Sequence, residues 1–323
     1  MPQNFNQVRH LQISQDQAGQ RVDNFLFREL KNVPKSHIYR LLRSGQVRLN
    51  GGRIKPTRKL QAGDELRIPP VRLPDSKAPR RVPDAGREEV LASIIHEDAG
   101  LLVLSKPSGW AVHGGTGVPY GIIEALRQAR DDIDYLELAH RLDRETSGCL
   151  LLAKNRDMLT ALHAGLRNDG NAAVHDKFYV CLVAGQWSGG ERRVDLPLAA
   201  QQVEGEERMV KVDHDNGRPA ESYFQLLEQF ADCALMQVRI TTGRMHQIRV
   251  HAQALGHPVL ADRKYGDRRV NQQMRKYGLK RMFLHAARVR LKLENAPVQN
   301  KNLDFEAPLP AELETVLERL RHE

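Results

Sequence analysis

The sequence predicts an α+β protein of two domains, and three observations carry that reading. A stretch at 69–83, PPVRLPDSKAPRRVP, holds five prolines and no core-like apolar pattern. Proline removes backbone donors and favours extended chain, so this stretch reads as a semi-rigid tether. Ahead of it, two short amphipathic helix patterns are followed by short strand patterns. Behind it, strand-like apolar runs recur, interrupted by helices without the regular alternation of a βαβ fold. The domains are placed at 1–75 and 89–323, with the linker over 76–88.

In the first domain Val22, Phe25, Leu26, Phe27 and Leu30 predict a helix over 21–30. Ile38, Leu41 and Leu42 predict a second, which begins after Pro34, runs to about Arg43 and is stopped by Ser44-Gly45. Strand pieces follow at 46–49, 53–54 and 64–68, the first two joined by an Asn50-Gly51-Gly52 turn. In the second domain strands are predicted at 90–96, 101–105, 149–153, 177–184, 220–227, 233–240 and 287–293. Helices are predicted near 122–130, 157–166, 245–255 and 310–320. No internal repeat of solenoid period is present.

The 323 residues carry 49 Lys+Arg against 40 Asp+Glu, and with 41% hydrophobic residues the chain can build a core, which excludes global disorder. The net charge of +9 is concentrated. Residues 1–74 hold 14 basic and 5 acidic side chains, while 75–323 hold 35 of each. Lys35, Arg40, Arg43, Arg48, Arg53, Lys55, Arg58 and Lys59 lie along the second helix and the turns after it. A solvated helix usually mixes signs at i, i+4, so this one-sign run fits phosphate contacts better than a plain surface. A second basic block at 263–292 holds 11 basic residues and one acid, Asp267. The N-terminal stretch lacks the apolar core of a secretory signal, and no apolar run approaches the roughly 18–20 residues of a membrane span. Cys149, Cys181 and Cys233 have neither disulfide-framework nor metal spacing and read as buried thiols. A soluble cytoplasmic protein, monomeric by default, is expected.

The densest polar stretch is Ala139-His140-Arg141-Leu142-Asp143-Arg144-Glu145-Thr146-Ser147-Gly148, which feeds an apolar strand. A polar turn entering a buried strand is a common place for working residues. Asp143, flanked by Arg141 and Arg144, is either such a residue or a structural partner that organises the turn. A kinase-type catalytic loop does not fit, because one residue too many separates Arg141 from Asp143 and no glycine-rich loop with a strand lysine precedes it. Asp143 and Glu145 as a glycosidase pair would sit poorly with the basic charge and the 5% aromatic content. There is no zinc-protease, paired-cysteine or Walker motif, so no metal and no nucleotide cofactor are expected. Gly114-Gly115-Thr116-Gly117 is a weak phosphate-loop signal and reads as a loop. At 245–255, Met245, Ile248, Ala252 and Leu255 form one apolar stripe, with Arg249 beside it on the flank of His246 and Gln253. A guanidinium there either snorkels to solvent or is buried against a carboxylate such as Asp143. His246 and His251, five apart, are poorly spaced as ligands and read as surface or RNA-contacting side chains.

These stretches resemble a known family. His140 to Gly148 is closely similar to the signature of RluA-type pseudouridine synthases. The similarity continues in Lys177-Phe178-Tyr179, Val183-Ala184-Gly185, 243–251, Gly256-His257-Pro258 and Leu284-His285-Ala286, in the family's order over about 88–310. Residues 18–70 resemble the small RNA-binding domain named after ribosomal protein S-four, through Pro34-Lys35-Ser36 and the Gly45-to-Gly51 turn. Details of 34–43 and 54–72 are most similar to the branch acting on large-subunit (23S) ribosomal RNA, which becomes the expected partner. The resemblance implies a mixed, largely antiparallel sheet with a cleft across its centre and an isomerisation of uridine that needs no cofactor. It implies Asp143 as the essential carboxylate and Arg249 as its basic partner. Tyr179 would stack on the uracil and assist proton removal. Arg141 would fill the space left by the extruded uridine, and Leu284 would pack near the base. Lys35, Arg40, Arg43, Arg48 and Lys55 are expected to bind RNA. A non-catalytic RNA-binding factor of the same fold would be expected to lack Asp143 or Tyr179, and both are present.

Overall fold

A computed structural model describes residues 7–30, 33–71, 81–115, 117–166, 175–201, 209–293 and 301–322. The chain divides into two compact units, Met1–Arg80 and Arg81–Glu323.

The first unit contains β1 (Arg9–Gln12), α1 (Val22–Glu29), α2 (Lys35–Arg43), β2 (Arg48–Leu49), β3 (Gly52–Arg53) and β4 (Glu65–Ile68). The strands form an antiparallel sheet in the order β1-β4-β2-β3. Val22, Phe25 and Leu26 of α1 and Ile38, Leu41 and Leu42 of α2 recur at three and four residues. That spacing turns one face of each helix into a shared core with Leu66 and Ile68. Pro34 caps α2, where its missing N–H costs nothing.

The second unit begins with α3 (Asp84–Ala92), β5 (Ile94–Glu97), β6 (Leu101–Lys106), α4 (Ile122–Ala129), β7 (Glu137–Leu138), β8 (Ser147–Ala153) and α5 (Arg156–Leu166). It continues through β9 (His175–Ala184), β10 (Arg192–Asp195), β11 (Leu198–Gln201), β12 (Met209–Val212), β13 (Glu221–Gln229), β14 (Cys233–Ile240) and α6 (Gln247–Ala254). It ends with α7 (Arg268–Gln273), β15 (Leu284–Lys292), β16 (Asn302–Glu306) and α8 (Ala311–Arg321). Among the described residues the main sheet has the order β10-β13-β14-β9-β15-β8-β6-β5, with β16 on β15 and β7 on β8. Every pairing in it is antiparallel except the seam between β8 and β15, where Ser147 lies opposite His285 and Gly148 opposite Ala286. The expected mixed, largely antiparallel sheet is therefore present. No helix among the described residues is long and apolar enough to cross a membrane.

Two expectations need correction. Residues 84–88 of the expected linker are helical. Val82 is also fully buried, and its amide donates to Gln128 Oε1 at 2.9 Å. Pro83-Asp84 is a helix start signal, and the apolar run at 90–91 closes that helix rather than opening a strand, which begins only at Ile94. Residues 76–80 of the expected linker lie outside the described residues. Within the basic block at 263–292 three of the eleven cations are held by carboxylates. Arg281, Arg288 and Arg290 pair with Glu312, Asp304 and Asp176. Strands β1 and β10 to β12 were not anticipated, because they are short and lack a strong period-two pattern. Cys149, Cys181 and Cys233 are buried and free, as expected.

Candidate active site

Asp143 sits in the turn that enters β8 at the parallel seam. The turn closes on itself with Thr146 N donating to Asp143 O at 3.1 Å. Segment 106–110 grips it from outside. Lys106 Nζ donates to the carbonyls of Pro107, Trp110 and Arg144, Ser108 Oγ donates to Glu145 O, and Gly109 N donates to Arg144 O. Lys106 is fully buried, and burial pushes its ammonium down to about 7. On the inner side His140 Nε2 accepts from Leu151 N at 3.2 Å. Burial first, then nearby Lys177, pushes His140 down to about 3, so the neutral ring serves as the acceptor this bond needs. Gly148 follows at φ +112°, and a Cβ there would lie 2.2 Å from Ala286 O. Only glycine lets β8 approach β15 this closely. His285, fully buried, ties the seam together. Its Nε2 must donate to Ala307 O at 3.1 Å, so its Nδ1 accepts from Ser147 Oγ at 2.9 Å.

Arg249 reaches the same turn from α6. Its guanidinium is 6% exposed and spans two carboxylates. Nη1 donates to Asp143 Oδ2 at 3.1 Å, while Nε and Nη2 donate to Asp262 at 2.6 and 2.9 Å. Asp262 is fully buried. Burial works to raise its carboxyl, but Arg249 and the amides of Lys264 and Tyr265 outweigh that and hold it below the ordinary range. Sequence reasoning anticipated Asp143 as partner and missed Asp262. The usable signal was arithmetic: a buried guanidinium carries five N–H donors and needs more acceptors than one carboxylate offers.

Helix α6 is positioned by the loop before it. Gln247 accepts from Arg244 N and Thr242 Oγ1 and donates to Glu221 O and Ser222 Oγ. His246 adopts φ +54°, so the helix starts at Gln247 rather than at the expected Met245. Of the expected surface or RNA-contacting roles for His246 and His251, the surface one fails for both. His251 is fully buried, donating from Nε2 to Leu196 O at 3.0 Å and accepting at Nδ1 from Ser222 Oγ. The His246 side chain is 10% exposed and turns inward, with Nε2 3.8 Å from Asp143 Oδ2. Burial, opposed by the Asp143 charge, pushes His246 down to about 4 and keeps it neutral.

Tyr179 projects from β9, the strand between β14 and β15. Burial, reinforced by the Asp143 charge, pushes its phenol up, so it remains protonated at neutral pH. Asp143, Arg141, Tyr179, Arg249, His246 and Leu284 line one cavity of about 700 Å³. Arg141 is exposed at its edge and Leu284 is buried. The cavity thus combines an ion-paired carboxylate, an aromatic ring, an exposed guanidinium and an apolar floor. Lys35, Arg40, Arg43, Arg48 and Lys55 belong to the other unit. All five are exposed, and none pairs with a carboxylate among the described residues.

The sequence profile described as RNA pseudouridylate synthase matches residues 100–254, and that of the S4 domain matches 20–66. The chain is 46% identical over 317 residues to ribosomal large subunit pseudouridine synthase C of Pasteurella multocida, covering 98% of this chain and 95% of that protein. The chain belongs to the RNA pseudouridylate synthase family. The protein of the same name from Escherichia coli K12 is likewise 46% identical over 318 residues, covering 98% of this chain and 97% of that one. Among solved structures, human RNA pseudouridylate synthase domain containing 4 superposes with a TM-score of 0.58 at 25% identity, over 73% of this chain and 95% of that one. The α+β pseudouridine synthase fold with an N-terminal S4 domain, read from the motifs, is therefore the fold of this family member.

Proposed function

We propose that this protein isomerises specific uridines of large-subunit (23S) ribosomal RNA to pseudouridine in the cytoplasm, acting as a monomer. The observation that carries the proposal is full-length similarity to large-subunit synthases in a chain that brings Asp143, Tyr179 and Arg249 to one cavity. The reaction breaks the C1′–N1 bond, turns the uracil and joins C5 to C1′. The proton leaves C5 and one is gained at N1, so the sum balances without a redox partner. Both reacting carbons are inaccessible in a stacked helix, which requires the uridine to be extruded.

Asp143 acts at the sugar, either by attacking C1′ or by removing the 2′-proton. Arg249, anchored on Asp262, fixes its orientation. Tyr179 offers a ring for the uracil to stack on and a neutral hydroxyl for the proton at C5, and Leu284 supports the base. Arg141, a flat cation at the cavity edge, takes the place of the extruded nucleotide. The S4 unit is a separate guide lobe. Replacing Arg40, Arg43 and Arg48 together with glutamine is expected to flatten the slope of log affinity against log salt by about two units. Equilibrium binding of rRNA fragments at several salt concentrations measures this, and an unchanged slope removes the lobe from RNA binding.

The function itself is tested by mapping pseudouridine in RNA from cells lacking this protein and from complemented cells. A defined set of large-subunit sites should disappear and return. Loss confined to transfer RNA or small-subunit RNA would assign a different substrate.

A further inference from the structure

His246 and Asp143 face the cavity with a gap between them. The 3.8 Å from Nε2 to Oδ2 is too long for a direct hydrogen bond. The far side of the ring decides which nitrogen carries hydrogen. Tyr265 Oη accepts from the Val210 amide at 2.8 Å and lies 2.8 Å from His246 Nδ1. Among the described residues Nδ1 is the one acceptor within reach of the Tyr265 hydroxyl hydrogen, so its O–H is directed to Nδ1. A neutral imidazole has one donor and one acceptor, so Nδ1 accepts and Nε2–H is left pointing toward Asp143. The ring cannot easily turn away. It packs edge-on against Tyr265 at 5.5 Å, on a backbone held at φ +54°.

A donor and a charged acceptor 3.8 Å apart are bridged by a group that both accepts and donates, with its oxygen about 2.8 Å from each. A uracil carbonyl only accepts and a ring N–H only donates, so each would satisfy one side. A hydroxyl satisfies both. In RNA the 2′-hydroxyl stands on the carbon next to C1′, where the proposed reaction occurs, and it is the group that distinguishes RNA from DNA.

We propose that His246 and Asp143 together hold the 2′-hydroxyl of the target uridine, O2′ accepting from His246 Nε2–H while its own O–H donates to the Asp143 carboxylate. His246 is then the residue through which the site requires ribose, with Tyr265 as the positioning residue that sets its tautomer. This inference rests on the reading of the Asp143 cavity as the place where uridine is isomerised.

The test uses an rRNA fragment bearing a uridine assigned by the mapping experiment, made with either uridine or 2′-deoxyuridine at that position. Single-turnover conversion is followed at varied enzyme concentration with the full-length wild type and with His246→Phe. In wild type the deoxy substrate should lose about tenfold or more in maximal rate over half-saturating concentration. In His246→Phe the uridine substrate should lose a comparable factor, and the deoxy penalty should shrink to within about threefold. An equal deoxy penalty in both proteins overturns the proposal. Should His246→Phe fail to fold, Tyr265→Phe decides by the same comparison, with a smaller contraction expected because the ring remains. Long-range proton–nitrogen NMR of wild type should show His246 protonated at Nε2, and a ring protonated at Nδ1 also overturns the assignment. Failure of wild type to convert the uridine substrate would instead overturn the proposed function.

Discussion

Asp143→Asn is expected to abolish pseudouridine formation, by about 10⁴-fold or more, while RNA affinity stays within about threefold. The substitution keeps the side-chain shape and removes the charge and nucleophilicity that either role at the sugar requires. It should leave the fold intact. The turn is held by backbone carbonyls of residues 144 and 145 rather than by the Asp143 carboxylate. Arg249 also keeps Asp262 as its partner. Mass spectrometry of digested RNA gives the product, and equilibrium titration gives the affinity. Turnover near the wild-type rate would remove Asp143 from the chemistry.

Arg249→Met should be damaging in a second way. It leaves the fully buried Asp262 carboxylate without its cation. Breaking one half of a buried pair costs about 3–5 kcal/mol, much of it the penalty of the stranded charge. Denaturant unfolding should therefore show a large fall in stability together with loss of activity. Adding Asp262→Asn should recover most of the stability and none of the activity. Arg249→Lys should be poor in both respects, because a single ammonium cannot hold two carboxylates through a planar fork. The pair also sets an acid limit. Asp262 titrates below its unfolded value when folded. Its stabilisation is complete above an unfolded aspartate's value of about 3.9 and is lost as pH falls through the lowered folded value. Wild type should lose stability in that acid window, and the double variant should lose less of it. Equal acid sensitivity would show that the pair carries no linkage.

What could be read in advance follows from how local each feature is. Helix α2 was legible because its spacing, Pro34 and Ser44-Gly45 all act within one turn. The meeting of Asp143 with Arg249 was legible as a need, since a cation beside an apolar stripe must find an anion. Asp262 and Tyr265 were not legible, because neither lies in a periodic element and their roles exist only once the loop after α6 folds back. His251 was misread for a related reason. Its side chain looks polar in sequence, yet Ser222 on β13 and Leu196, just after β10, give it a neutral and fully bonded place in the interior. The helix at 84–92 was obscured by treating all five prolines of 69–83 as one tether, when the last of them starts a helix.

The parallel seam has a consequence for biosynthesis. Ser147 and His285 are 138 residues apart, yet their pairing is what seats the Asp143 turn. At about 5–20 residues per second, the chain spends roughly 7–28 s between making one edge of the seam and the other. Closing so long a loop is also among the slower steps of folding. The growing polypeptide therefore carries its RNA-binding S4 unit well before it has a formed cleft. A chain stopped before residue 285 lacks one edge of the seam, so the Asp143 turn can be seated only when synthesis is nearly complete.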